Sequence, residues 1–315
     1  MSWKSTRWLA TVAATALMAT ACGSGDDSDD DSSDTRTITD AQGTEVEIPT
    51  NPQRVVALSE QDLDAMVALD IEPVGTLNGR GQATPPAYLG DSVDSVEVVG
   101  DIGEFSVDTV LELEPDLVLF GAAHDQDLLE QVRDLIPATV MTYDLDAEWQ
   151  EAFRNTAEAL NEEDAAEAWL TEYESAADDI ADSLGDNSDS DISLVRWSPD
   201  GPSTMHRDAF ASLVLQDLGL NRPEGQQEEG FSHSDPLSLE NLSLIDADWL
   251  FVGTLVEGSE GALEEARDTP AFAQLEAVEN DRFIEVDGTL WTSRGGPVAA
   301  EMVAEEISEY LGGDQ

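Results

Sequence analysis

Lysine is almost missing from this chain. Of its 315 residues 69 are Asp or Glu and only 13 are Lys or Arg, a net charge of −56. The single lysine, Lys4, stands among the first few residues, and from Cys22 onward the bases are eleven arginines. A field of that sign repels nucleic acid and anionic headgroups, which argues against both as partners. Cysteine is equally scarce: with Cys22 alone, no intramolecular disulfide can form. Membrane-length hydrophobic runs are lacking too, since the apolar stretch from Leu9 to Ala19 is too short to span a bilayer. There is no G-x-S-x-G, no H-E-x-x-H and no phosphate-loop pattern. A two-lobed enzyme working with carboxylates is the catalytic reading that these absences leave.

What is abundant is acid. A surface rich in Asp and Glu and empty of lysine fits a salt-adapted protein, in which carboxylates hold water and salt screens their repulsion. The acids are therefore read as solvated surface and not as an active site. Each lone Arg in a loop becomes conspicuous by contrast. The N-terminus has Lys4 and Arg7, then the apolar stretch, then Ala19-Thr20-Ala21-Cys22, the layout of an export signal. Cys22 after Ala-Thr-Ala resembles a bacterial lipobox, in which the cysteine carries lipid and becomes the mature N-terminus. Ala19 stands where a lipobox usually has Leu, and the same three residues also suit an ordinary signal peptidase. From Gly25 to Asp34 the chain is almost all Asp and Ser, a self-repelling extended tether.

The rest is organised around a helix over Asp164–Leu184. Ala165, Trp169, Tyr173, Ala176, Ile180 and Leu184 form one apolar stripe at helical spacing. Leu160, Ala157, Phe153 and Trp149 continue the spacing backwards, but Asn161 followed by acids reads as a stop and a restart. At 1.5 Å per residue the second helix spans about 30 Å, enough to tie two lobes together. On either side, Ser106 to Gly121 is similar to Ser238 to Gly253: Ser, acid, Asp and Gly fall in register. Each copy reads as cap, short helix, acidic turn and buried strand.

The expected layout is a signal peptide over 1–21, a tether over 22–34, an N-terminal α/β lobe over 35–146, a helical segment over 147–184 and a C-terminal α/β lobe over 185–315. The first lobe opens with a hairpin over Thr37–Ile48 and continues with strands at Arg54–Leu58, Pro73–Thr76, Val96–Val99, Leu117–Phe120 and Thr139–Met141. The second has strands near Ile192–Trp197, Trp249–Val252 and Arg282–Val286, and helices near Ala209–Leu218, Leu239–Ile245, Ala262–Arg267, Ala271–Ala277 and Val298–Leu311. Strands alternating with helices predict two Rossmann-like α/β lobes with mostly parallel sheets. Ligands of such sheets bind beyond the carboxyl ends of the strands. The loops Ser59–Glu60, Thr76–Tyr88, Gly121–Asp125, Ser198–Asp208, Gly253–Gly258 and Asp287–Gly296 are then the candidate cleft.

Thr39 to Leu58, with Leu69-Asp-Ile-Glu-Pro-Val-Gly75 after it, resembles the opening of the ferric-siderophore and cobalamin class of ABC-importer substrate-binding proteins. Glu114-Pro-Asp-Leu-Val-Leu, Ser238-Leu-Glu-Asn-Leu and Trp291-Thr-Ser-Arg-Gly-Gly-Pro resemble that class too, and together they cover roughly 35–312. The resemblance implies two lobes joined by one long helix, a shallow cleft that closes little, no chemistry and no cofactor. It also implies a monomer tethered outside the cell membrane through Cys22, working with permease subunits and a cytoplasmic ATPase.

Ferric siderophores are often anionic with flat faces, so such a site needs Arg donors and aromatic side chains. Arg80, Arg207 and Arg294 stand in the candidate loops, as do Tyr88, Trp197 and Trp291. By resemblance, His124, Phe231 and His233 also line the pocket, Trp291 matches a ligand-facing aromatic, and Asp108 and Glu240 dock onto the permease. Ordinary roles compete: an Arg here can pair with nearby acids, a Trp can be core, and an acid in a helix's first turn suits the helix dipole. His124, His206 and His233 with Glu60 offer a rival site for haem or a metal ion, and cobalamin competes for the same cleft.

Overall fold

The computed structural model describes residues 34–122 and 125–312. The export signal, Cys22, the tether up to Ser33 and His124 lie outside the described residues.

The first lobe opens with a hairpin of β1 (Thr35–Thr39) and β2 (Glu45–Pro49), paired from Thr35↔Pro49 to Thr39↔Glu45. Its turn is closed by Asp40, whose carboxylate accepts the amides of Gln42 and Thr44 at 2.9 Å, and by Gly43 at a φ of 77°. Next come β3 (Val55–Ala57), α1 (Glu60–Ala68), β4 (Gly75–Thr76), β5 (Glu97–Val98) and a small hairpin of β6 (Gly100–Asp101) and β7 (Glu104–Phe105). Helix α2 (Val107–Glu112), β8 (Leu117–Leu119), α3 (Gln126–Leu135) and β9 (Thr139–Val140) complete it. The sheet order is β5-β4-β3-β8-β9, parallel throughout. The central strands β3 and β8 are buried at every position, as sheets covered on both faces require.

Helices α4 (Trp149–Leu160) and α5 (Glu163–Ser183) form the spine. Asn161 between them adopts the left-handed conformation at a φ of 63°, the stop expected of it. The buried stripe of α5 is Ala166, Leu170, Tyr173 and Ala177, continued by Leu184, while Ala165 and Ala176 are exposed. The expected stripe is thus rotated by about one residue. Trp149, Phe153 and Ala157 of α4 meet this face, where small alanines let the helices approach, and Trp169 stacks on Tyr173 at its margin.

The second lobe runs β10 (Ile192–Ser198), β11 (Gly201–Thr204), α6 (Phe210–Asp217), a 3₁₀ turn over Leu239–Ile245, β12 (Trp249–Thr254), α7 (Ser259–Arg267), α8 (Pro270–Ala273), α9 (Glu276–Glu279), β13 (Phe283–Asp287), α10 (Gly288–Trp291) and α11 (Pro297–Leu311). Its sheet order is β11-β10-β12-β13, parallel except for β11. Three expectations need correction. Ser198–Asp208 is not simply a loop: Pro199-Asp200-Gly201 turns the chain back into β11, with Gly201 at a φ of 120°. Leu239–Ile245 breaks its helical geometry at Asn241, and Ser238 makes no capping bond. Ala271–Ala277 is two short helices parted at extended Leu275, the first capped by Thr269 and the second by the Asp246 carboxylate.

Both lobes belong to one compact unit. One tie between them is a cap supplied across the lobe boundary. Helix α11 begins at Gly296 without a side-chain cap of its own. Asp64 of α1 accepts the amides of Val298 and Ala299 at 2.7 and 3.1 Å and the Tyr88 hydroxyl at 2.9 Å. A Cβ on Gly296 would stand 2.9 Å from that carboxylate. Burial is the largest influence on Asp64 and, outweighing its donors, pushes the carboxyl up to about 6.

Candidate functional site

The cleft lies where the carboxyl ends of the first lobe's strands meet the segment after α10. Leu58, Ser59, Glu60, Arg80, Ile102, Ala122 and Tyr143 line it from one lobe and Arg294 from the other. The lobes touch across it more than once: a Cβ on Gly81 would stand 2.5 Å from the Leu255 carbonyl oxygen, and the Arg294 guanidinium donates to the Leu145 carbonyl at 3.0 Å.

Glu60 is the first residue of α1, where the orphan amides of a helix start favour a carboxylate. Ser59 caps that helix, accepting from the Asp62 amide at 3.0 Å and donating to the Asp62 carboxylate at 2.6 Å. One Glu60 oxygen accepts the Arg80 amide at 2.7 Å, and the other accepts the Ser293 hydroxyl at 2.9 Å. Only 7% of Glu60 is exposed, and burial raises its pKa in spite of both donors and the nearby charges of Arg80 and Arg196.

Three guanidiniums share this neighbourhood. Burial, and then repulsion from Arg80, brings Arg196 down to about 10. Arg294 is lowered by the same two causes, with Tyr143 and Glu60 opposing. Among the described residues ion pairs hold Arg133, Arg154, Arg207 and Arg267, and none holds Arg80, Arg196 or Arg294. Arg36, Arg54, Arg222 and Arg282 stand outside ion pairs as well, so the feature particular to these three is their gathering around one cleft. It makes a positive cleft able to grip an anion through charge-assisted hydrogen bonds.

Residues 55–290 match the family described as periplasmic binding protein. The chain belongs to that family. It is 30% identical to the "Probable siderophore-binding lipoprotein YfiY" of Bacillus subtilis over 94% of either chain. It is 27% identical to the Fe(3+)-citrate-binding protein YfmC of the same organism, over 88% of this chain and 86% of that one. Among solved structures, Staphylococcus aureus SirA complexed with staphyloferrin B superposes with a TM-score of 0.75 at 23% identity, over 88% of this chain and 98% of that one. At that identity the likeness shows the fold: two α/β lobes joined by a helical backbone.

This periplasmic binding protein brings together only part of the expected site. Arg80 and Arg294 line the cleft, one from each lobe. Trp197 and Trp291 do not reach it. Trp197 is 1% exposed against Phe272, and Trp291 is 0% exposed, stacked on Phe251 at 5.0 Å with its indole N–H donating to Glu306 at 2.7 Å. The reason at Trp197 is strand parity: Val195 and Trp197 face the outer core, so Arg196 faces the other way. Arg196, which does not itself line the cleft but feels the charges of Arg80 and Glu60, is the residue missed, and its signal was a lone base inside an apolar strand.

Tyr88 donates its hydroxyl to Asp64 of its own lobe and packs against the cores of both lobes. Arg207 is paired with Asp208 at 2.9 Å and Glu229 at 3.3 Å, the ordinary role of an Arg in an acidic chain, and is not among the lining residues. Phe231 and His233 lie on a strap beside β11, where Ser234 donates its amide to Thr204 and His206 to Ser232. The His233 ring sits 2.8 Å from the Ser234 carbonyl, and a Cβ on Gly230 would stand 2.9 Å from the His206 ring. Among the described residues no three His, Cys, Asp or Glu form a metal-holding cluster. Asp108 and Glu240 are both exposed, in the first turn of α2 and of the 3₁₀ segment respectively.

Proposed function

We propose that this protein captures a ferric siderophore outside the cytoplasmic membrane and delivers it to the permease of an ABC importer, powered by a cytoplasmic ATPase. The observation that carries the reading is the set of three arginines without acid partners, Arg80, Arg196 and Arg294, around one inter-lobe cleft. The names of the relatives, which speak of siderophore and Fe(3+)-citrate binding, support it. The protein acts as a receptor: it needs no cofactor, catalyses nothing and works as a monomer.

In the same reading residues 1–21 direct export, Cys22 carries the lipid, 22–34 form the tether and the lobes span 35–146 and 185–315 around the helical segment 147–184. The protein then sits on the outer face of the cell membrane in a salty medium that its acidic surface suits. Asp108 and Glu240, exposed one on each lobe, meet arginines of the permease. The test is a titration of the purified protein at high salt with ferric trihydroxamate, tricatecholate and carboxylate siderophores, haem and cobalamin. Tight saturable binding of one ferric siderophore is expected. Binding of haem or cobalamin alone, or of nothing, contradicts the proposal.

A further inference from the structure

Glu60 is out of place by simple electrostatic logic. A cleft built to hold an anion carries, at its centre, a buried carboxylate. That carboxylate is not consumed by a contact ion pair: its two close donors, the Arg80 amide and the Ser293 hydroxyl, are uncharged. Its charge is balanced at longer range by the guanidiniums of Arg80 and Arg196, while its own field acts on Arg294.

We propose that Glu60 determines which chelate charge this cleft accepts: it is the internal counter-ion of Arg80, Arg196 and Arg294, opposes the most anionic complexes, and takes up a proton when such a complex enters. The inference rests on the reading of the protein as a ferric-siderophore receptor. An anionic chelate that engages the three guanidiniums withdraws the positive field that balances Glu60 and adds a negative field of its own. At 7% exposure water and salt screen this little. The carboxylate then relaxes by binding a proton, and the cost of that step grows with the charge of the ligand.

The other groups around Glu60 do not take its place. Asp62, on the same helix, is closed into bonds with Ser59, Thr142 and Thr156, and Asp64 caps α11. Tyr88 and Tyr143, whose hydroxyls feel the Glu60 charge, have pKa values raised first of all by burial, so both stay neutral in ordinary buffers. Ser293 has no charge to titrate. Glu60 is the acid among the three guanidiniums that is free to change state.

Ligand chemistry supplies the ruler. Three singly charged hydroxamates cancel iron(III), whereas three doubly charged catecholates leave a trianion. The experiment is calorimetric titration of the full-length protein with a ferric trihydroxamate and a ferric tricatecholate at about pH 8, in phosphate and in Tris, whose ionisation heats differ. The expected result for the wild type is proton uptake with the tricatecholate, read as a buffer-dependent heat, and little with the trihydroxamate. Glu60→Gln abolishes the uptake and improves tricatecholate affinity relative to trihydroxamate by about tenfold, the equivalent of one pKa unit. Ser293→Ala, which removes the same lobe contact without removing charge, shifts both chelates alike and keeps the uptake. Wild-type heats that do not depend on buffer, or a Glu60→Gln variant that changes both chelates equally, overturn the inference while leaving the receptor reading intact. If the wild type binds no ferric chelate, the receptor reading itself falls, and this inference with it. The wild-type buffer comparison decides the matter even if Glu60→Gln does not fold.

Discussion

Asp116 and Asp248 hold equivalent places in the two lobes. The Asp116 carboxylate accepts the amides of Gln53 and Arg54, at 2.8 and 2.9 Å, just before β3, and Asp248 accepts the Asp191 amide, at 2.9 Å, just before β10. In each case the acid stands before a strand, β8 or β12, that pairs in parallel with the strand it holds. The lobes part at the next step. Helix α1 carries buried Glu60, Asp62 and Asp64, whereas α6 is buried from Phe210 to Leu215 and has no acid before Asp217. The first lobe therefore supplies carboxylates that reach across to Ser293 and the start of α11, and the second supplies Arg196 and Arg294. A repeated framework fixes where strands end; the contents of the cleft are set separately on each side.

The comparison can be broken most severely at the two tryptophans. Trp197→Ala and Trp291→Ala should each cost about 3 to 5 kcal/mol in denaturant unfolding, the usual range for a large buried aromatic. A variant that keeps its stability and loses ligand binding would return that tryptophan to the cleft.

Acidity gives the next largest effect. The folded protein holds the Asp64 proton more tightly than the unfolded chain, with a pKa near 6 against a model-peptide value of 3.8. Its contribution is therefore complete below about pH 4 and lost as pH rises through about 6, an effect on the order of 3 kcal/mol. Glu60 and Asp62 are raised as well and act in the same direction. Urea midpoints at fixed salt should be higher near pH 4.5 than near pH 7, and a steady fall on acidification would contradict the assignment.

Asp64→Ala leaves three donors at the lobe junction without an acceptor and should cost about 2 kcal/mol. Asp108→Ala, at an exposed helix start, should stay within about 0.5 kcal/mol. Equal costs in thermal melts would remove the asymmetry between the buried acid that caps another helix and the exposed acid in the first turn of its own. The smallest effect on stability is expected for charge reversal at Glu240, which should leave chelate affinity unchanged while abolishing uptake into cells; normal uptake would exclude a docking role.

Much of the framework was legible because it is local. Period two and period 3.6 marked the strands and helices, Asn161 announced its own left-handed stop, and the repeat exposed Asp116 and Asp248. The cleft was harder, since it depends on which side of an element faces it. Trp197 and Arg196 are neighbours on one strand, and only the sheet's orientation sends the tryptophan into the core and the arginine toward Glu60. The cap that Asp64 gives α11 joins residues 234 apart in sequence and has no local pattern. Pro199-Asp200-Gly201 is different: it carries a readable turn signal, and β11 could have been foreseen from it.

The most direct test of the central claim is to compare single alanine variants at Arg80, Arg196 and Arg294 with Arg207→Ala, measuring equilibrium affinity for the ferric siderophore that the wild type binds. Each cleft arginine should cost roughly 10- to 100-fold, the value of a hydrogen bond to a charged group, and Arg207→Ala less than about threefold. The reverse pattern, with Arg207 essential and the other three dispensable, would contradict an arginine cleft between the lobes.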